Sequence, residues 1–209
     1  MNTFRRQFLE SLRAHSLVEK VPIITEKNAQ FLHWLCRSRG VKKILEIGCA
    51  DGYSTIWLTD AVVDKNIYHK NPSASPLVSG DLLTEFSPQV VSIEYSAWHY
   101  ERAKKNIKTV QLDDVIELKF GDAQNILPTL EIDQFDLIFV DGRKNCYAQF
   151  FELCKPLLTS DGCMIFDDVI KFKHKMEDFY EVMQNQNNFC WQVIPIDTDD
   201  GVMIVWEKV

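Results

Sequence analysis

A chain of 209 residues with 46% hydrophobic content is long enough to bury a core without disulfide or metal staples, and a formal charge of -7 argues against a generic polyanion binder. Six cysteines, none in a CxxC pair and each in or beside an apolar run, read as reduced thiols of a reducing, cytoplasmic compartment. The opening stretch MNTFRRQFLESLRAH has no continuous apolar leader and no later window approaches the length of a membrane span, so neither export nor membrane insertion is expected.

The first 20 residues place Phe4, Phe8, Leu9 and Leu12 at helical spacing, with Arg5, Arg6, Glu10 and Arg13 on the other faces. A second amphipathic helix is expected over residues 26–37, stopped by Gly40, so that residues 1–40 form an N-terminal helical cap. From residue 41 to 209 the pattern changes. Short apolar runs (KILEI, VVSIE, VIELKF, FDLIFVD, GCMIFDD) alternate with helix-like stretches such as TIWLTDA, AWHYERAKKNI and YAQFFELCKPLL. Strands apolar on both faces and separated by helices indicate a parallel sheet in an α/β fold. A helix near HKMEDFYEVMQ and two further strands, FCWQVIPI and GVMIVWEK, complete the chain; their short DTDDG connection makes them an antiparallel pair. The expected architecture is a mostly parallel seven-stranded sheet with an antiparallel C-terminal strand and helices on both faces. Residues 62–88, with NPSASPLVSGD, exceed the usual connection and read as a surface insertion, with a lid or partner-binding element as the alternative.

In such a sheet the strand C-termini share the edge where open α/β folds bind ligands. Acids follow each of the first five strands: Glu46 and Asp51, Glu94, Asp122, Asp141, then Asp167 with Asp168. The turn ILEIGCADGYS lacks the Lys-Ser/Thr ending of a phosphate loop, and Ala50 and Tyr53 stand where a dinucleotide GxGxxG turn needs glycine. A ring of acids repels phosphate and suits a cationic or neutral ligand with ribose hydroxyls, together with a divalent cation. Gly48 and Gly52 let the backbone approach that ligand.

ILEIGCADGYST resembles the first motif of class I S-adenosylmethionine-dependent methyltransferases, and GDAQNILPTL, FDLIFVDGRKNCY and LTSDGCMIFDDV extend the likeness in order. More narrowly, the chain from Val21 to Lys208, interrupted by the 62–88 insertion, resembles the metal-dependent catechol and caffeoyl-CoA type of O-methyltransferase and its bacterial relatives, which include a tRNA wobble-uridine O-methyltransferase. The resemblance implies a Rossmann-like methyltransferase fold, a homodimer, and S-adenosylmethionine as cofactor, held by Glu46, Gly48, Ala50, Gly52, Ser54, Glu94, Asp122, Ala123 and Asp141. Glu94 would accept hydrogen bonds from the ribose hydroxyls, while Asp122 serves the adenine edge or simply caps the helix that follows.

The same resemblance implies a divalent cation, Mg²⁺ or else Mn²⁺ or Ca²⁺, on Asp141, Asp167 and Asp168; the dispersed His15, His33, His69, His99 and His174 offer no competing zinc cluster. The relatives usually carry Asp then Asn at the fifth strand, so Asp168 is a departure that bears on metal choice and affinity. Lys144, three residues past Asp141, matches the family's catalytic lysine, expected to take the hydroxyl proton with a depressed pKa beside the cation. The expected acceptor is a small catechol-like or phenolic molecule. The alternatives are tRNA, served by a basic rim of Lys171, Lys173 and Lys175 with Arg5, Arg6 and Arg13, and a non-catalytic module that binds S-adenosylmethionine.

Overall fold

Asn2 and Thr25 set where the first two helices begin. In the computed structural model, which describes residues 1–63 and 89–208, Asn2 accepts from the Arg5 N–H at 2.8 Å to open α1 (Thr3–Glu19), and Thr25 accepts from the Asn28 N–H at 3.2 Å to open α2 (Glu26–Arg39). Gly40, with φ of 66°, closes α2 as the sequence predicts. The predicted apolar stripe of α1 needs a correction. Leu9 and Leu12 are buried, but Phe4 is 54% exposed and Arg5 is buried, because Asp60 on the third helix of the chain (Tyr53–Val62) takes its guanidinium at 3.3 Å. Asp60 also holds the Met1 amino group at 2.9 Å, and although burial opposes it, these partners and His33 draw its pKa down to about 2.

The remaining elements alternate: β1 (Ile44–Ile47), α3 (Tyr53–Val62), β2 (Val90–Glu94), α4 (Ala97–Thr109), β3 (Ile116–Phe120), α5 (Ala123–Ile126), β4 (Phe135–Val140), α6 (Tyr147–Cys154), β5 (Leu158–Phe166), α7 (Glu177–Gln184), β6 (Phe189–Pro195) and β7 (Gly201–Glu207). The sheet order is β3-β2-β1-β4-β5-β7-β6, parallel except that β7 runs antiparallel to both β5 and β6. Apart from Val62 and Val63, the insertion read at 62–88 lies outside the described residues.

Alternate residues of each strand feed two cores, one on each face of the sheet. Ile44, Val90, Leu137 and Ile165 pack with Leu9, Leu32, Ile56 and Ile107 from α1 to α4, whereas Leu45, Val91, Ile138 and Phe166 pack with Tyr147, Phe151, Phe179 and Met183 from α6 and α7. The helices therefore lie on both faces. Strand order reverses between β1 and β4, and the crevice beyond their C-terminal ends is where such a sheet receives a ligand.

Candidate active site

A cavity of about 410 Å³ opens at that switch point, bounded by the ends of β1, β2, β3 and β4 and covered by Pro22, Ile23 and Ile24 from the α1–α2 connection. Its floor is the turn after β1. Gly48 takes φ of 86°, and a Cβ there would stand 2.5 Å from the carbonyl oxygen of Asp141, so only glycine fits. Gly52, with φ of 84°, turns the chain into α3. Glu94 fixes the turn from the neighbouring strand: its Oε2 accepts from the N–H groups of Cys49 (3.1 Å) and Ala50 (2.9 Å), and its Oε1 from Ser96 (2.8 Å). Ser96, not Glu94, caps α4.

Of the residues expected to meet a cofactor, Gly48, Ala50, Ser54, Glu94, Asp122, Ala123 and Asp141 line this cavity. Asp122 does so while also capping α5 through Gln124 N–H at 3.0 Å and accepting from Arg143 at 2.9 Å, so the capping alternative is real and compatible with a place at the wall. Glu46 is not brought to the wall. Its side chain points to the α3 side of the sheet, fully buried, where Thr55 and Ser92 each donate to Oε2 at 2.5 Å and Oε1 has no partner. Burial pushes its pKa up to about 7 despite hydrogen bonds from Ser54, Ser92 and Thr55. Asp51 also leaves the expected ring of acids. It is buried against α4, with His99 Nδ1 at 2.9 Å and Arg102 at 3.0 and 2.7 Å.

Asp141, Asp167 and Asp168 do come together. One carboxylate oxygen from each lies within 4.8 Å of the others, a set of hard oxygen donors suited to a divalent cation. Asp168, just past the end of β5, adopts φ of 58°. Lys144 reaches into the group, with Nζ 2.7 Å from Asp141, 2.8 Å from Asp168 and 2.9 Å from the Tyr147 hydroxyl. Burial alone would lower the Lys144 pKa, but Asp141, Tyr147 and Asp168 outweigh it and raise the pKa, favouring the ammonium form. These protein neighbours act opposite to the expected depression. Asp167 is pushed well up by burial and then by Asp141 and Asp168.

A second cavity of about 200 Å³ shares Pro22, Ile23, Ile24, Asp141 and Asp168 with the first, and is closed by Asn28 of α2 and by the β6–β7 loop. The basic rim is only partly present. Lys175 lines the larger cavity, whereas Lys171 is 3.2 Å from Asp199, Lys173 lies over the Tyr180 ring, and Arg5 is buried.

A family model described as a methyltransferase domain matches residues 45–169. The chain belongs to this methyltransferase family. The match includes Gly48, Gly52, Glu94, Asp122, Asp141, Asp167 and Asp168 of the domain and stops short of the β6–β7 loop. Among relatives, a catechol O-methyltransferase of Niastella koreensis is 30% identical over 151 residues, covering 71% of this chain and 58% of that protein. A catechol O-methyltransferase of Mycobacterium tuberculosis is 28% identical over 148 residues, covering 71% and 57%. The chain thus spans a little over half the length of these relatives. In three dimensions, an O-methyltransferase from Bacillus cereus solved in complex with SAH superposes with a TM-score of 0.77 at 23% identity, covering 96% of this chain and 91% of that one. The seven-stranded arrangement is accordingly the Rossmann-like methyltransferase fold.

Several parts of the candidate site carry no signal in the sequence. Asn28 donates through Nδ2 to Asp167 Oδ1 at 2.6 Å from an unremarkable helix position. Arg143 lies with its guanidinium carbon 5.3 Å from the exposed Tyr95 ring beside the larger cavity. The acids of DTDDG were the available signal for the smaller cavity, and they read only as a turn.

Proposed function

We propose that this methyltransferase domain transfers a methyl group from S-adenosylmethionine to a hydroxyl of a small catechol-like or phenolic acceptor, with a divalent cation, Mg²⁺ or else Mn²⁺ or Ca²⁺, on Asp141, Asp167 and Asp168. The observation that carries the reading is the position of Asp141. Its backbone abuts Gly48 at the floor of the larger cavity, and its carboxylate belongs to the triad on the wall shared with the smaller one. On this reading a cofactor cavity and an acceptor cavity adjoin along a shared wall that includes Asp141 and Asp168.

When bound, S-adenosylmethionine supplies an electrophilic sulfonium methyl and the cation supplies Lewis-acid stabilisation of a deprotonated hydroxyl. The chain supplies the rest. Gly48 admits the cofactor to backbone contact, and Glu94, with acceptor capacity beyond its three N–H bonds, takes hydroxyl donors. Lys144 places a positive charge at the wall between the cavities, where it stabilises an acceptor oxygen that has lost its proton. Asp141 and Asp168 favour the ammonium form of Lys144, but a cation held by the same carboxylates would offset them, so Lys144 would be the group placed to take the hydroxyl proton, and the ammonium so formed supplies that charge. Pro22, Ile23 and Ile24 line both cavities and present apolar surface beside the transfer. No covalent enzyme intermediate is required.

The tRNA reading is weaker, because Arg5 is spent on Asp60 and Lys171 is held by Asp199. A cytoplasmic homodimer belongs to the same proposal; among the described residues no helix is long and apolar enough to cross a membrane. The test is a transfer assay with labelled S-adenosylmethionine offered catechols, hydroxycinnamoyl thioesters and undermodified tRNA in parallel. Label in a catechol supports the proposal; label in tRNA alone, or in nothing, overturns it.

A further inference from the structure

One side chain, Arg102 of α4, ties the floor of the larger cavity to its cover. Its Nε and Nη2 donate to Asp51 Oδ2 at 3.0 and 2.7 Å, and its Nη1 stands 2.7 Å from Glu19, the last residue of α1. Asp51 lies between Gly48 and Gly52 in the turn that floors the cavity, and it is fully buried. Arg102 thus holds the glycine turn with one edge of its guanidinium and the N-terminal helices with the other.

Both ends of this bridge are stiff. Asp51 Oδ1 is 2.9 Å from Nδ1 of His99, a residue that itself lines the cavity, and the Asp51 backbone carbonyl accepts from Asn106 Nδ2 at 2.9 Å. At the other end only Lys20 and Val21 separate Glu19 from Pro22. Lys20 takes φ of 58° with its N–H on the Leu17 carbonyl at 3.3 Å, and Val21 is buried with its N–H on the Ser16 carbonyl at 2.9 Å. A displacement of Glu19 is therefore passed to Pro22, Ile23 and Ile24 at the cavity wall. The guanidinium carbon rests 4.3 Å from the centroid of the Trp98 ring, and its planar fork serves two carboxylates on different elements, which a lysine ammonium cannot match. Asp51, being buried, needs that partner to fold. The Glu19 side chain is 35% exposed, so its contact adds little to stability, and its effect lies in what it positions.

We propose that Arg102 is a positioning residue for the cofactor: by holding Glu19 and Asp51 together it fixes Pro22, Ile23 and Ile24 relative to the glycine turn, so that the cavity retains S-adenosylmethionine once it has entered. This rests on the cofactor reading of the larger cavity and adds to it a residue that acts through two others. Its signature is a cofactor that leaves faster when the bridge is cut.

The deciding measurement is stopped-flow and calorimetric binding of S-adenosylhomocysteine to wild type, Glu19→Ala, Arg102→Lys, Arg102→Met and the Glu19→Ala, Arg102→Met double variant. Glu19→Ala should raise Kd about three- to tenfold, almost wholly through the dissociation rate, with a melting temperature within about 2 °C of wild type. Arg102→Met should weaken binding at least as much and Arg102→Lys less, and Glu19→Ala should add nothing in the Arg102→Met background. If Arg102→Met does not fold, Glu19→Ala still decides, because its site is partly exposed. Amide hydrogen exchange of the ligand-free proteins gives a readout without cofactor: Val21, Ile23 and Ile24 should exchange at least about threefold faster in Glu19→Ala. A wild-type dissociation rate in Glu19→Ala, a lowered melting temperature with unchanged affinity, or independent losses that add in the double variant each overturn the inference and leave a bridge that serves stability alone. Failure of the wild-type protein to bind S-adenosylhomocysteine overturns it together with the cofactor reading. The predicted coupling in a protein that methylates no hydroxyl supports the positioning role and overturns only the methyl-transfer reading.

Discussion

The α-carbon of Gly48 faces the Asp141 carbonyl so closely that a Cβ would lie 2.5 Å from the oxygen, with the Gly48 backbone at φ of 86°. Two demands fall on one residue, left-handed backbone and close approach, and neither can be met by adjusting a side chain because the obstacle is backbone. Gly48→Ala should therefore displace the turn or the end of β4, costing about 1–3 kcal/mol of stability from backbone strain alone. S-adenosylhomocysteine affinity should drop more than about tenfold in the same variant. Thermal melting and calorimetry measure the two effects, and wild-type values for both would show that the turn has room to spare.

Glu94 joins β2 to that turn. Removing it in Glu94→Ala leaves the Cys49 and Ala50 N–H groups without their acceptor and deletes the proposed ribose partner, so cofactor affinity should fall by about 1–3 kcal/mol. Glu94→Gln keeps one oxygen and should lose less. Calorimetric titration ranks the three proteins; an alanine variant that binds like wild type would remove Glu94 from the cofactor site.

What the sequence showed and what it hid follow from the range of the interactions. The parallel sheet was readable because VVSIE and FDLIFVD are apolar on both faces, and the glycine turn because backbone demands are local. Pairings between distant positions were not. Asp51 read as an edge acid, yet Arg102 and His99 claim it from α4, and Arg5 read as a surface charge until Asp60 of α3 supplied its partner. No periodicity links residues 5 and 60 or 51 and 102; the fold alone makes them neighbours. Glu46 was misleading in another way. It lies in the motif, but strand alternation carries its side chain to the α3 face of β1, beside Ser92 of β2, rather than to the edge.

That burial gives Glu46 a pH signature. Its pKa in the fold is pushed up to about 7 by burial, above its ordinary value near 4.5, so folding favours the protonated form. Its contribution is fully present below the unfolded pKa and is lost as pH rises through the folded one. Wild type should thus weaken between about pH 4.5 and 7 relative to Glu46→Gln, by up to about 3 kcal/mol, with no further change above 7. Urea denaturation of both proteins across that range provides the comparison. A stability difference that stays flat with pH would mean Glu46 is ionised throughout.

The carboxylate triad makes the last prediction. Asp141, Asp167 and Asp168 converge within 4.8 Å, but their roles in the wall differ: Asp167 is held by Asn28, while Asp141 and Asp168 are bridged by Lys144. If they hold a cation for the transfer, a chelator should abolish turnover while S-adenosylhomocysteine affinity changes less than about twofold, and Mg²⁺ or Mn²⁺ should restore it. Asp168→Asn keeps an oxygen donor at that position and removes one negative charge, so it should retain activity at a higher metal requirement. Asp141→Ala breaks the shared wall and should lose activity by about 10²-fold or more even with metal in excess. Metal titrations of turnover, with cofactor binding followed in the same samples, separate these cases. Full turnover in excess chelator would leave Lys144 as the cationic group at this wall and take the divalent ion out of the chemistry.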